Sequence, residues 1–113
     1  FVEAAMTLER VALIQAVQAY QTALQAWPDN LEARLALGNS HYRQRDLQAA
    51  QMHYEQAIAH HPDAADAWNN LAQVLYETQQ WVRAKQAIDK AVVLGGVRLT
   101  RYKATQRAIE ERM

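Results

Sequence analysis

The sequence predicts an all-α fold, an array of antiparallel helix pairs closed by a terminal helix. Three observations predict it. First, the only two prolines of the 113-residue chain open matching phrases 34 residues apart, Pro28-Asp29-Asn30 and Pro62-Asp63-Ala64. Second, the same offset pairs Ala33 with Ala67, Leu37 with Leu71 and Tyr42 with Tyr76. It also aligns the triplets Leu13/Leu47/Trp81, Ala16/Ala50/Ala84, Tyr20/Tyr54/Ile88, Ala23/Ala57/Ala91 and Leu24/Ile58/Val92. In each triplet the side chains are small together or large together, so one packing scheme recurs. Third, apolar residues within a period fall at helical spacing, at 31, 35, 37 and 42 and again at 65, 68, 71, 72, 75 and 76.

Residues 1–27 contain no glycine, proline or asparagine. They read either as one long helix or as two helices broken near Thr7–Arg10, with about Leu13 to Trp27 as an early copy of the second helix of a pair. By the offset, Glu3 stands where a core leucine belongs, so residues 1–29 form an atypical first unit of the kind that ends a solenoid. The first full unit covers 30–63. Its first helix runs from about Asn30 to Gln44 and starts after a proline, where the preceding helix must stop. Asp29 followed by Glu32 reads as a capping box. The second helix runs from about Leu47 to His60, with Asp46 as its N-cap. The second full unit covers 64–97, with helices from about Ala64 to Thr78 and Trp81 to Leu94. Asp63 followed by Asp66 is a weaker capping box.

Short turns make neighbouring helices antiparallel. Gly38/Ala72, Ala50/Ala84 and Ala57/Ala91 allow close approach, and Tyr54, Leu71 and Trp81 fill the remaining space. After Gly95-Gly96, a helix end, the segment 98–113 reads as a capping helix. Leu99, Tyr102, Ile109 and Met113 form its apolar stripe. It carries Arg98, Arg101, Lys103, Arg107 and Arg112 against Glu110 and Glu111.

Composition removes several classes of function. The formal net charge is zero, so there is no uniform field to draw in nucleic acid. No apolar run approaches the roughly 20 residues of a membrane span. Without cysteine there is no disulfide, thiolate nucleophile or cysteine-based zinc site. Among the four histidines, His60 and His61 point to different helix faces, and His53 and His60 are two turns apart, so no metal site is expected. A Gly-rich phosphate loop, Gly-x-Ser-x-Gly and His-Glu-x-x-His are all missing. Neither a cofactor nor catalysis is expected. The chain starts at Phe1 rather than Met and shows no basic-then-apolar leader, which points to a piece of a longer protein and leaves its compartment open.

The 34-residue unit with Leu37-Gly38, Tyr42, Ala50, Tyr54, Ala57 and Pro62 resembles a tetratricopeptide repeat. Trp68, Leu71, Ala72, Leu75, Ala84, Ile88 and Ala91 resemble a second. The resemblance covers roughly residues 13–96. Arg45 and Gln79 replace the glycine usual between paired helices, which makes those turns costly. Gly95-Gly96 stands where a proline is usual. The resemblance implies a helix-turn-helix solenoid wound as a right-handed superhelix, with the first helix of each pair lining the concave side. It also implies a protein-interaction module for a protein or peptide partner. Ligand-facing positions of the family map onto Glu32, Leu35, Asn39, Tyr42 and Arg43 in one unit and onto Asp66, Asn69, Gln73, Tyr76 and Glu77 in the next. Asn and Gln suit the backbone of an extended peptide, and Tyr offers contact area; Tyr42 and Tyr76 serve equally well as packing between helices.

Some members of the family hold a peptide's terminal carboxylate with asparagines and basic residues. Asn39 and Asn70 resemble the two asparagines. Leu35 stands where the lysine belongs, and the last basic pair falls to Lys103 or its neighbours, so a clamp of that kind is not expected. The alternative to a binding groove is a structural appendage that self-associates, through a two-fold dimer of terminal helices, or docks on its parent. The phrases Trp27-Pro28-Asp29-Asn30, Leu37-Gly38-Asn39, Trp68-Asn69-Asn70-Leu71-Ala72 and Leu94-Gly95-Gly96 also resemble the C-terminal tail of bacterial proteins with a bacteriocin-processing-like cysteine peptidase domain. That resemblance implies an envelope or secreted peptidase as parent.

Overall fold

The computed structural model describes residues 2–113, with side chains from residue 7 onward. The described residues form six helices and no strands: α1 (Val2–Ala26), α2 (Leu31–Arg43), α3 (Leu47–His60), α4 (Ala65–Glu77), α5 (Trp81–Leu94) and α6 (Leu99–Arg112). Each packs on its neighbours in chain order, and α6 also touches α4. The body measures 42 × 35 × 25 Å. No helix is long and apolar enough to cross a membrane among the described residues.

The repeat offset holds in three dimensions. Ala50, Ala57, Ala84 and Ala91 are fully buried, and Leu37, Tyr54, Leu75 and Ile88 fill the space between helices. The small and large members of a contact change together. A methyl group on Gly38 would lie 2.4 Å from Tyr54 Cε1, so the tyrosine requires glycine opposite it. Thirty-four residues on, the narrower Ile88 takes the tyrosine's place and Ala72 the glycine's. Bonds between successive units also run at nearly the repeat spacing. His61 Nε2 reaches the Asp29 carbonyl, Asn70 Nδ2 donates to Asn39 Oδ1 at 3.3 Å, and Arg45 pairs with Glu77 at 3.4 Å.

The helix starts depart from the expectation. Asn30, not Asp29, caps α2 by accepting the Ala33 N–H at 2.9 Å. The first helical residue is Leu31, so the Asp29–Glu32 box is out of register by one. Helix α4 starts after Ala64 with no side-chain cap, and Asp66 is engaged elsewhere. Asp46 caps α3 as expected, through Ala49 N. The turns between paired helices place Arg45 at φ 64° and Gln79 at φ 63°, the left-handed region where glycine is usual. Gly95 and Gly96, at φ 71° and 104°, end α5. On α6, Tyr102 and Ile109 are buried, but Met113 is exposed and does not join the stripe.

Residues 2–26 form one unbroken helix, with no interruption at 7–10. Its backbone includes Glu3, whose side chain lies outside the described residues.

Candidate functional site

Helices α2, α4 and α6 lie in a row and present one side each to a shallow strip. Leu35, Asn39 and Tyr42 come from α2, Asp66, Asn69, Asn70, Gln73, Tyr76 and Glu77 from α4, and Arg101, Ala104, Thr105 and Ala108 from α6. The spacing within each helix is three or four residues, as one helix face demands. Three adjoining depressions make up the strip. Asn39, Asn70 and Arg101 belong to two of them, and Gln73 joins the third.

The centre of the strip is polar and fixed from below. Asn39 Oδ1 accepts from the Tyr54 hydroxyl at 2.6 Å and from Asn70 Nδ2 at 3.3 Å. Tyr54 is almost wholly buried, and burial pushes its phenol well above the usual range, so it stays a donor. Asn39 is thereby held while its amide nitrogen has no partner among the described residues. Beside it lies Asn69, only 3% exposed, whose Oδ1 is buried without a hydrogen bond. A buried amide oxygen left unpaired costs stability, and Asn69 Oδ1 carries that cost. Tyr42 is half-buried with the Arg45 guanidinium 5.8 Å from its ring centre. Burial, then Glu77, raises its phenol. Tyr76 meets Trp81 edge-on at 5.4 Å. Both tyrosines therefore pack against the core and also offer an edge to the strip.

The charges divide into used and unused. Asp66 accepts from Arg98 at 2.7 Å and from the Tyr102 hydroxyl, which ties α6 to α4. Burial and this acceptor push the Tyr102 phenol up to about 12. Glu77 is paired with Arg45. Two predicted ligand-facing carboxylates are thus engaged inside the fold. Glu32 and Arg43 are exposed and lie outside the depressions. Lys103 falls away from the strip, among Gln106, Arg107, Glu110 and Glu111. Two residues along a helix turn the side chain by about 200°, so Arg101 faces Asn39 and Asn70 and Lys103 does not. Arg101 has no ion pair among the described residues. It is the cation that reading by offset missed, because α6 no longer keeps the small residue that Ala33 and Ala67 place at that position.

Below the strip, on the α2–α3 side, His41 and His53 stack at 5.3 Å. Arg34 Nη1 approaches His53 Nδ1 at 3.4 Å. Burial, then His41 and Arg34, lowers the His53 pKa. A guanidinium facing one ring nitrogen disfavours a cation on that ring.

Comparison with known proteins places this architecture. The family model described as "Tetratricopeptide repeat" matches residues 4–51 and 35–96. The chain belongs to the tetratricopeptide-repeat family. It is 34% identical over 73 residues to stress-induced-phosphoprotein 1 of Caenorhabditis elegans, a match that takes in 65% of this chain and 23% of that protein. Among solved structures it is similar to the TPR2B domain of yeast Sti1 in its complex with pHsp70, with TM-score 0.84 and 14% identity over 99% of this chain and 94% of that one. It is also similar to the first TPR of Spaghetti (RPAP3) bound to the HSP90 peptide SRMEEVD, with TM-score 0.81 and 14% identity over 97% and 86%. MamA gives TM-score 0.82 and 18% identity over 96% and 63%. At these identities the structures share the solenoid fold.

Proposed function

We propose that this chain is a protein-interaction module that binds an extended peptide along the strip on α2, α4 and α6. The observation that carries the reading is the set of unengaged polar groups at its centre. Among the described residues the Asn39 amide nitrogen, Gln73 and the Arg101 guanidinium have no internal partner, and the Asn69 Oδ1 is buried without one. Extended backbone offers alternating N–H and C=O groups that such amides can satisfy. The half-buried edges of Tyr42 and Tyr76 add apolar area on the same side. The HSP90 peptide in the Spaghetti structure and the pHsp70 in the Sti1 complex are consistent with this reading. The cation set here is its own, since Leu35 occupies one expected lysine position and Arg101 is placed at the far wall.

An immobilised library of 12-residue peptides would test the proposal, with affinities of the recovered sequences measured by fluorescence anisotropy. Asn70→Ala and Arg101→Ala leave the Tyr54–Asn39 bond intact. Each is expected to weaken binding about tenfold, as loss of one hydrogen bond or charge-assisted contact does. Binding unchanged by both substitutions would overturn the strip assignment.

A further inference from the structure

Free charge on the strip is concentrated at one point. Of the charged side chains that line it, Asp66 is taken by Arg98 and the Tyr102 hydroxyl, and Glu77 by Arg45. Arg101 alone is left without an ion pair among the described residues. It is exposed and lines both polar depressions, together with Asn39. A guanidinium and an amide donor turned to the same depression suit a carboxylate. The depression on the far side of Gln73 differs. Tyr76 of α4 and Ala104, Ala108 and Ile109 of α6 line it. Ile109 is wholly buried, and the short alanine side chains leave a hollow beside it that suits an aliphatic group.

The two depressions are set apart along the helices. Asn69, Asn70 and Gln73 of α4 line the first, and Gln73, Tyr76 and Glu77 the second. Their centres are therefore displaced by roughly five residues of helix, or about 7 Å. Alternate side chains of an extended peptide point the same way and also lie about 7 Å apart. Gln73 belongs to both depressions and has no internal partner among the described residues. Its amide is placed to meet the main chain of the residue between. On the other side of Arg101 the strip continues over Leu35 and the Asp66–Arg98 pair. A peptide that fills the apolar depression thus runs on past Arg101, which meets a side-chain carboxylate rather than the chain end.

We propose, resting on the strip reading above, that the recognised segment carries an internal aspartate or glutamate and, two residues from it, an aliphatic side chain. The carboxylate sits on Arg101 and the Asn39 amide. The aliphatic group sits against Ala104, Ala108 and Ile109. The two contacts are separable, because Arg101 does not line the apolar depression and Ala104 does not line the polar ones. Both residues are exposed on α6, so neither substitution below disturbs the core.

Fluorescence anisotropy on the full chain tests this, with the tightest peptide from the library above remade with an acetylated start and an amidated end. Affinity is expected to survive that blocking. Replacing the peptide's acidic residue by its amide, or its aliphatic residue by alanine, is expected to weaken binding about tenfold each. Arg101→Gln is expected to abolish the first effect and keep the second. Ala104→Leu fills the hollow and is expected to abolish the second and keep the first, as a double-mutant cycle reads directly. Binding that needs a free carboxyl terminus would overturn the proposal. So would binders that lack the acidic–aliphatic pair, or peptide effects that neither protein variant removes. Such binders, if still weakened by Asn70→Ala, leave the strip reading standing and sink only the pattern. A library that yields no binder overturns both.

Discussion

Gln79 holds a backbone conformation that its side chain resists. At φ 63° its Cβ crowds the following carbonyl. Gln79→Gly removes that crowding and gives back part of the gain through a freer unfolded chain. The net expectation is a stabilisation of about 0.5 kcal/mol, read as a raised urea midpoint. Arg45 is under the same strain, but it holds Glu77 and lies over Tyr42, so its replacement by glycine is expected to gain less. His53 supplies a pH dependence. Its folded pKa lies below the ordinary value of 6.5 because of burial, His41 and Arg34. The unfolded chain therefore binds that proton more readily than the folded one. The stability from neutral His53 is complete above the ordinary value and is lost as pH falls through the lowered folded value. The urea midpoint is expected to fall as pH drops below the ordinary histidine value of 6.5, and His53→Gln is expected to flatten that slope.

Helix α6 shows how one element is held by few bonds. It has no side-chain N-cap, and its buried contacts centre on Tyr102 and Ile109. The Tyr102 hydroxyl and Arg98 both converge on Asp66 of α4. Tyr102→Phe keeps the ring in the core and removes one donor. A loss of about 1 kcal/mol is expected, with faster amide exchange confined to α6. If exchange quickens equally in α2 and α3, the Tyr102–Asp66 bond is not the local tether described above. The expected capping role of 98–113 is met on its buried side. Arg101 rather than Lys103 faces the strip, because the angle of α6 on α4 selects which side is turned toward it.

Across the whole molecule, stability is spread unevenly along the array. Each helix contacts mainly its neighbours, so local protection should follow local burial. The core cluster centres on α4 and α5, whereas α1 contributes no fully buried side chain among those described. Native-state amide exchange is expected to be slowest in α4 and α5 and, among the residues with described side chains, fastest around 7–12 of α1.

The repeat period alone determined the number of helices after residue 30, their pairing and most of the core, because a 34-residue offset repeats one packing scheme and each Ala or Tyr inherits its neighbour's environment. Asp46 was readable as a cap for the same local reason. Tertiary structure decided the rest. Whether Asp66 and Glu77 remain free for a ligand depends on Arg98 and Arg45, about thirty residues away in sequence. Whether Asn69 faces solvent depends on how α4 seats between α2 and α6. Residues 2–26 run straight as one helix: Val11 stands at the offset of Arg45 and Gln79, and a β-branched side chain resists the left-handed backbone angle of those two turns.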